Sequence, residues 1–226
     1  MRWLFSKFKI FAIILLCLSA VIIYFIYDAQ TPAKRLPIYQ PDDFNPELVD
    51  ESLHHTKNYH TIANFSLTNQ NGKTITEKDY EGKIYVADFF FTTCQTICPI
   101  MTKNLGAIQD VIKEDADIAL LSHSVIPEQD SVAQLKKYAL EKGVIDAKWN
   151  LVTGDKKQIY DLARKSYMAV KIDENEDPYS MIHTENFILI DKERRIRGTY
   201  DGTKEEEIEQ LIEDLEVLKN SYIKED

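Results

Sequence analysis

Residues 83–99 read KIYVADFFFTTCQTICP. The first nine form a β-rich run with the near-continuous hydrophobicity of a strand buried on both faces. Pro99 then opens a helical stretch to about Glu114, since the first turn of a helix has no use for a proline N–H. Cys94 and Cys98 therefore fall where a buried strand ends and a helix begins, the usual place for a site in an α/β sheet. A helix N-terminus presents free N–H groups and the positive end of the dipole, which lower a thiol's pKa and favour thiolate. Thiolate is both the nucleophile of disulfide exchange and a ligand for a soft metal.

The spacing leaves both chemistries open. Positions i and i+4 on a helix hold their Cβ atoms about 5–6 Å apart, whereas a relaxed disulfide wants about 3.5–4.5 Å. With Cys94 in the preceding loop, the pair is loose enough to hold an ion and close enough to oxidise. The bland alternative is two buried thiols packing as small hydrophobes. Idle paired thiols fit poorly in an exported domain, where they tend to oxidise.

Outward from this stretch, strands and helices alternate. IANFSLTNQNGKTIT (62–76) alternates around Asn71-Gly72 as a hairpin. IALLSHSV (118–125) is a second apolar strand, followed by a helix with Asp130 or Ser131 as N-cap, Val132, Leu135, Ala139 and Leu140 on one face and Gly143 as its stop. WNLVTG (149–154) reads as a strand, DKKQIYDLARKSY (155–167) as a helix, NFILID and RIRGTYDG as a closing antiparallel pair, and EEEIEQLIEDLEVLKN (205–220) as a final amphipathic helix. The order implies an α/β fold, a mixed sheet with helices on both faces.

The chain has 226 residues, 27 Lys+Arg against 37 Asp+Glu and a net charge of −10. An acidic chain without a basic block excludes nucleic acid as a partner. The charge is uneven. Arg2, Lys7 and Lys9 are the only charged residues before Asp28, which leaves 24 basic and 37 acidic side chains, or −13, beyond Tyr27. Between them runs IFAIILLCLSAVIIYFIY (10–27), 18 uncharged residues, long enough to cross about 27 Å of hydrocarbon. No small-x-small cleavage site precedes Asp28 and no small residue precedes Cys17, so the run reads as an uncleaved single-pass anchor. The positive-inside rule keeps Met1 cytoplasmic and exports the rest. The expected organisation is a basic terminus (1–9), a transmembrane helix (10–27), a segment with Pro32, Pro37, Pro41 and Pro46 serving as tether or surface strap (28–59), and a globular domain (60–226).

Two thiolates complete few metal sites. The chain offers His54, His55, His60, His123 and His183. His183 precedes the NFILID strand, where position alone is equally compatible with a hydrogen-bonded structural role. His123 ends a strand as a satisfied polar residue or an accessory ligand. His54, His55 and His60 form a small His-rich stretch before the domain, either solvated or able to catch a metal ion transiently.

DFFFTTCQTICPIM (88–101), SHSVIPEQDSVAQLKKYA (122–139) and HTENFILIDKERRIRGTYDG (183–202), in this order behind an N-terminal anchor, resemble the Sco/SenC family of membrane-anchored, thioredoxin-like copper proteins that assist assembly of the copper centre of cytochrome c oxidase. The resemblance covers about His60 to Asn220. It implies a thioredoxin-like fold behind the transmembrane helix and a metallochaperone rather than a clear enzyme. Cys94 and Cys98 are then the copper thiolates and His183 the third ligand, holding Cu(I) or Cu(II). The implied partners are a copper-receiving subunit of cytochrome c oxidase, other copper carriers or thiol reductants, and the membrane. The implied location is the inner membrane, with the domain facing the periplasm. A thiol–disulfide oxidoreductase acting through Cys94 and Cys98 is the alternative. Thioredoxin-like redox enzymes place a cis-proline where this chain has Ile182-His183-Thr184, which favours copper. Peroxiredoxins carry Thr three residues before the reactive Cys, and here that residue is Phe91. Structural zinc takes four protein ligands, and no fourth is evident. One departure from the family is Ile126, where many members carry Asp before the proline.

Overall fold

The computed structural model describes residues 11–24, 34–53, 60–170 and 184–223. The chain divides into two compact units, Met1–Arg35 and Leu36–Asp226. In the first, residues 11–24 form helix α1, with its apolar side chains exposed. Of the expected span, residues 10 and 25–27 lie outside the described residues. Among the described residues, no helix is long and apolar enough to cross a membrane.

The second unit is built on one seven-stranded sheet in the order β2-β1-β5-β4-β3-β6-β7. Its strands are β1 (Ser66–Asn69), β2 (Thr74–Thr76), β3 (Ile84–Phe90), β4 (Ile118–Ser124), β5 (Trp149–Thr153), β6 (Asn186–Ile190) and β7 (Ile196–Asp201). β3, β4 and β5 run parallel, and both flanks are antiparallel. Helices α2 (Cys98–Ile112) and α3 (Val132–Lys142) make the crossovers between the parallel strands. α4 (Lys156–Asp161) runs into a π-helical turn (Leu162–Ser166), and α5 (Glu205–Ile223) closes the chain.

All seven residues of β3 and all seven of β4 are buried, because each strand has a neighbour on both sides and a layer on both faces. Alternation along them divides the core. Ile84, Val86, Phe90, Ile118 and Leu120 pack with α2, α3 and α5. Tyr85, Ala87, Phe89, Ala119 and Leu121 face α4, the π-helical turn and Val49, Ile62 and Phe65. The mixed sheet with helices on both faces is the expected one.

Local signals held where backbone chemistry sets them. Ser131 caps α3, its Oγ accepting from the Gln134 N–H at 3.3 Å, and Gly143 ends it with φ of 71°. Two expectations are corrected. Leu140 is 72% exposed rather than part of the buried face of α3, because it lies about 100° round the helix from Ala139, off the stripe of Leu135, Tyr138 and Ala139 that is buried. The helix expected over 155–167 is an α-helix only to Asp161, where a wider turn takes over.

The segment before β1 packs as a strap. Leu36 and Val49 are buried, Tyr39 bridges Ile196, and Arg197 donates from Nη2 to the Leu36 carbonyl at 2.7 Å and from Nε to the Pro37 carbonyl at 2.7 Å. Arg197 and Arg195 both pair with the fully buried carboxylate of Asp191.

Candidate metal centre

β3 delivers the chain into loop 91–97, and Cys98 is the first residue of α2. Cys94 is half-buried in the loop and Cys98 is 4% exposed beneath it, packed with Phe90, Met101 and Leu105. Both are free thiols. Ile97 occupies the N-cap without a side-chain cap; its carbonyl takes the Ile100 and Met101 N–H groups at 3.0 Å, Pro99 has no N–H, and the Cys98 N–H is left to the Cys94 sulfur.

The two thiols differ in acidity for reasons of place. Burial opposes ionisation of Cys94, but hydrogen bonds from the Cys98 thiol, the Thr96 hydroxyl and the backbone N–H groups of Cys98 and Thr96 outweigh it and bring Cys94 down to about 7. Its Sγ lies 3.6 Å from Thr96 Oγ1. Burial pushes the Cys98 thiol up, and its role as donor to Cys94 and the nearby Asp88 add to the rise. The pair thus holds one readily formed thiolate, half-buried, above one protonated thiol.

Asp88 belongs to this site, although the spacing of the cysteines did not point to it. It lies on the α2 face of β3, is 2% exposed, and accepts a hydrogen bond from the Ser122 hydroxyl. Ser122 Oγ in turn accepts from Trp149 Nε1 at 2.8 Å. Burial pushes the Asp88 carboxyl up to about 7. The available signal was a lone acid inside an otherwise apolar strand.

His123 does not join the cysteines. Its place in β4 turns it to the opposite face of the sheet, fully buried, stacked on Phe89 at 4.8 Å and tilted against Tyr167 at 5.4 Å. Its Nδ1–H donates to the Asp88 carbonyl at 3.2 Å, and burial brings its pKa down to about 4. Neighbours alternate faces along a strand, so a ring at 123 and an acid-facing hydroxyl at 122 point apart. The accessory-ligand reading of His123 is therefore corrected. So is the solvated or copper-catching reading of His60, which is 7% exposed with Nε2 at 2.8 Å from the Ser166 carbonyl. His54, His55 and His183 lie outside the described residues. Among the described residues, no group of three His, Cys, Asp or Glu side chains is placed to hold a metal ion.

The register nonetheless orients the sheet ends. β3 and β6 are antiparallel, with Tyr85 opposite Ile190 and Ala87 opposite Ile188. The chain therefore enters β6 at the end of the sheet where β3 leaves for the dithiol loop. Thr184, at that entry, is pinned by its hydroxyl to the Ala169 carbonyl at 2.6 Å. Ile126, at the position of the family departure, packs half-buried against the His123 side of the core.

The family model described as SCO1/SenC matches residues 54–220. A curated relative, the SCO1 protein homolog of Bacillus subtilis (strain 168), is 35% identical over 157 residues, covering 68% of this chain and 80% of the relative. Among solved structures, BsSco, described as a member of the Sco family of cytochrome c oxidase assembly proteins and bearing a disulfide switch, aligns with a TM-score of 0.60 at 33% identity, over 70% of this chain and 93% of its own. Bradyrhizobium japonicum ScoI with copper bound aligns with a TM-score of 0.56 at 27% identity, over 71% and 99%. These likenesses agree with the thioredoxin-like mixed sheet that the sequence implied.

Proposed function

The chain belongs to the SCO1/SenC family, and on that premise we propose that it is a copper metallochaperone for an assembling cytochrome c oxidase, gripping the ion with Cys94, Cys98 and His183. One observation carries the reading above others: two free thiols of opposite acidity stand at the uncapped N-terminus of α2. Soft thiolates select Cu(I), and an imidazole supports either oxidation state. His183 adjoins Thr184 in sequence, at the strand entry that the β3–β6 register brings to the dithiol end of the sheet. Arrival of the ion displaces the proton of Cys98, so loading releases protons. An ion held by so few ligands stays accessible to a receiving subunit.

The copper-bound relative and the oxidase-assembly description of BsSco support the cargo and the recipient. The uncharged run 10–27 is the anchor in this reading, with the basic terminus cytoplasmic and the acidic domain outside the membrane.

A second reading rests on the lowered pKa of Cys94. Its thiolate attacks a disulfide of an oxidase subunit and expels one of that subunit's sulfurs as thiolate. Cys98 then breaks the mixed disulfide, leaving the subunit reduced and Cys94–Cys98 oxidised until an external thiol reductant restores it.

The full-length chain, purified in detergent and loaded with Cu(I) under anaerobic conditions, tests the first reading. A single copper per chain with two sulfurs and one nitrogen by X-ray absorption is expected, and absence of sulfur ligation overturns it. His183→Ala separates the two readings, since it abolishes copper retention and leaves thiol exchange intact.

A further inference from the structure

The dithiol loop needs something to fix it, and its own contacts are few. Within it, the Cys94 N–H reaches the Phe91 carbonyl at 3.3 Å, and no side chain caps α2 behind it. What ties the loop to the next strand and helix is a buried acid from the turn between β4 and α3. Asp130 is 1% exposed and sits at the end of the turn 126–130, its N–H bonded to the Ile126 carbonyl at 3.0 Å. Its Oδ1 accepts from the Thr92 hydroxyl at 2.5 Å, and its Oδ2 accepts from the Thr92 N–H at 3.2 Å and from the Ser124 hydroxyl at 2.6 Å. Gln134, in the first turn of α3, closes the group by donating from Nε2 to Thr92 Oγ1 at 3.0 Å.

The topology explains why the acid stands there. Phe90 and Ser124 are the last paired residues of the parallel ladder between β3 and β4, and past one bond from the Val125 N–H to the Phe90 carbonyl at 2.9 Å the two segments leave the ladder. Asp130 spans that opening with three hydrogen bonds from two chain segments. The family's acid at the position of Ile126 is missing, and this carboxylate four residues later is the one in contact with the loop.

We propose that Asp130 is the positioning residue of the dithiol: through Thr92, two residues before Cys94, it sets where the Cys94 sulfur stands over Cys98, and so the strength with which the pair holds a soft metal or closes a disulfide. The proposal rests on the dithiol reading of the site for its metal arm, while its disulfide arm does not need copper. Partners that orient metal ligands are worth about 10–100-fold in metal affinity when removed.

The test uses three variants of the full-length chain, Thr92→Val, Thr92→Ser and Asp130→Asn. Thr92→Val keeps the shape of a half-buried residue and removes the hydroxyl. Thr92→Ser keeps the hydroxyl. Asp130→Asn keeps the size but turns an amide toward two donors. Cu(I) affinity is read by competition with a chromophoric Cu(I) chelator, the Cys94–Cys98 disulfide by equilibrium against glutathione, and folding by thermal melting. The expected result is Cu(I) binding weakened about tenfold in Thr92→Val and more in Asp130→Asn, with a shifted disulfide equilibrium in both and recovery in Thr92→Ser. Wild-type copper affinity and disulfide equilibrium in Thr92→Val and Asp130→Asn, with or without a lowered melting temperature, overturn the proposal and leave Asp130 a structural tie before α3. Should the wild-type chain bind no copper through sulfur, the metallochaperone reading fails by itself, and the disulfide equilibrium still decides the role of Asp130.

Discussion

Asp88 on β3 and Ser122 on β4 stand directly opposite one another in parallel register, and the Ser122 hydroxyl donates to the Asp88 carboxyl inside the core. The acid is held at about 7 against a usual 3.8, so folding favours its protonated form. As pH rises above 3.8 the unfolded chain ionises while the folded one resists, and the folded state loses stability until about pH 7. A shift of this size corresponds to on the order of 2–4 kcal/mol. Asp88→Asn, which still accepts from Ser122, is expected to be more stable than wild type by about that amount at pH 8 and to match it at pH 4. Denaturant unfolding at the two pH values checks this, and equal stabilities at pH 8 refute it.

His123 gives the opposite slope. Burial lowers its pKa from 6.5 to about 4, so its contribution is fully present above pH 6.5 and is lost as the pH falls toward 4. The His60 ring, also buried and also lowered, adds to the same acid limb. His123→Phe is expected to flatten the loss of stability between pH 6.5 and 4 without removing it, since His60 remains. It also removes the ring's hydrogen bond to the Asp88 carbonyl, which keeps its place in the β3–β4 ladder, at about 0.5–1.5 kcal/mol at neutral pH. Copper stoichiometry is unchanged in this variant. Loss of copper from His123→Phe is the outcome inconsistent with the placement of the ring on the far face of the sheet.

What the sequence made legible follows local rules. The strand–loop–helix around Cys94 and Cys98, the Ser131 cap and the Gly143 stop all depend on residues within a few positions of one another. Asp88 and Asp130 were not recovered, because their partners Ser122 and Thr92 lie 34 and 38 residues away and only the register of β3 on β4 brings them together. The burial of His60 was missed for the same reason, its partner Ser166 lying 106 residues away, and of the two readings of His123 the structural one holds because the layer covering its face comes from distant segments.

Cys94 and Cys98 are expected to react unequally. With Cys94 at about 7 and half-exposed, and Cys98 raised and buried, iodoacetamide on the reduced metal-free chain modifies Cys94 first, with a rate that climbs through about pH 7. Cys17 lies in the apolar N-terminal run and is distinguished by its peptide. Peptide mass spectrometry across pH 5–9 reads both rates, and faster labelling of Cys98 contradicts the assignment of the nucleophile.

Arg197 joins two jobs that one substitution disconnects. Its Nη1 pairs with the buried Asp191 carboxylate at 2.9 Å while its Nε and Nη2 hold the Pro37 and Leu36 carbonyls. Asp191 keeps Arg195 and the backbone N–H groups of Glu193 and Arg195 when Arg197 is removed, so its charge is not left wholly unpaired. The cost of Arg197→Ala is therefore expected below the about 3–5 kcal/mol of a fully broken buried pair, near 2 kcal/mol. The second effect is local. Without its two carbonyl contacts the strap from Leu36 to Leu53 loosens from β7, and limited proteolysis under native conditions is expected to cut there first, before the sheet opens. Arg197→Lys retains charge near Asp191 but lacks the fork that reaches both carbonyls, so it recovers stability more than protease resistance. Equal protection of the strap in wild type and Arg197→Ala is the result that removes Arg197 from this role.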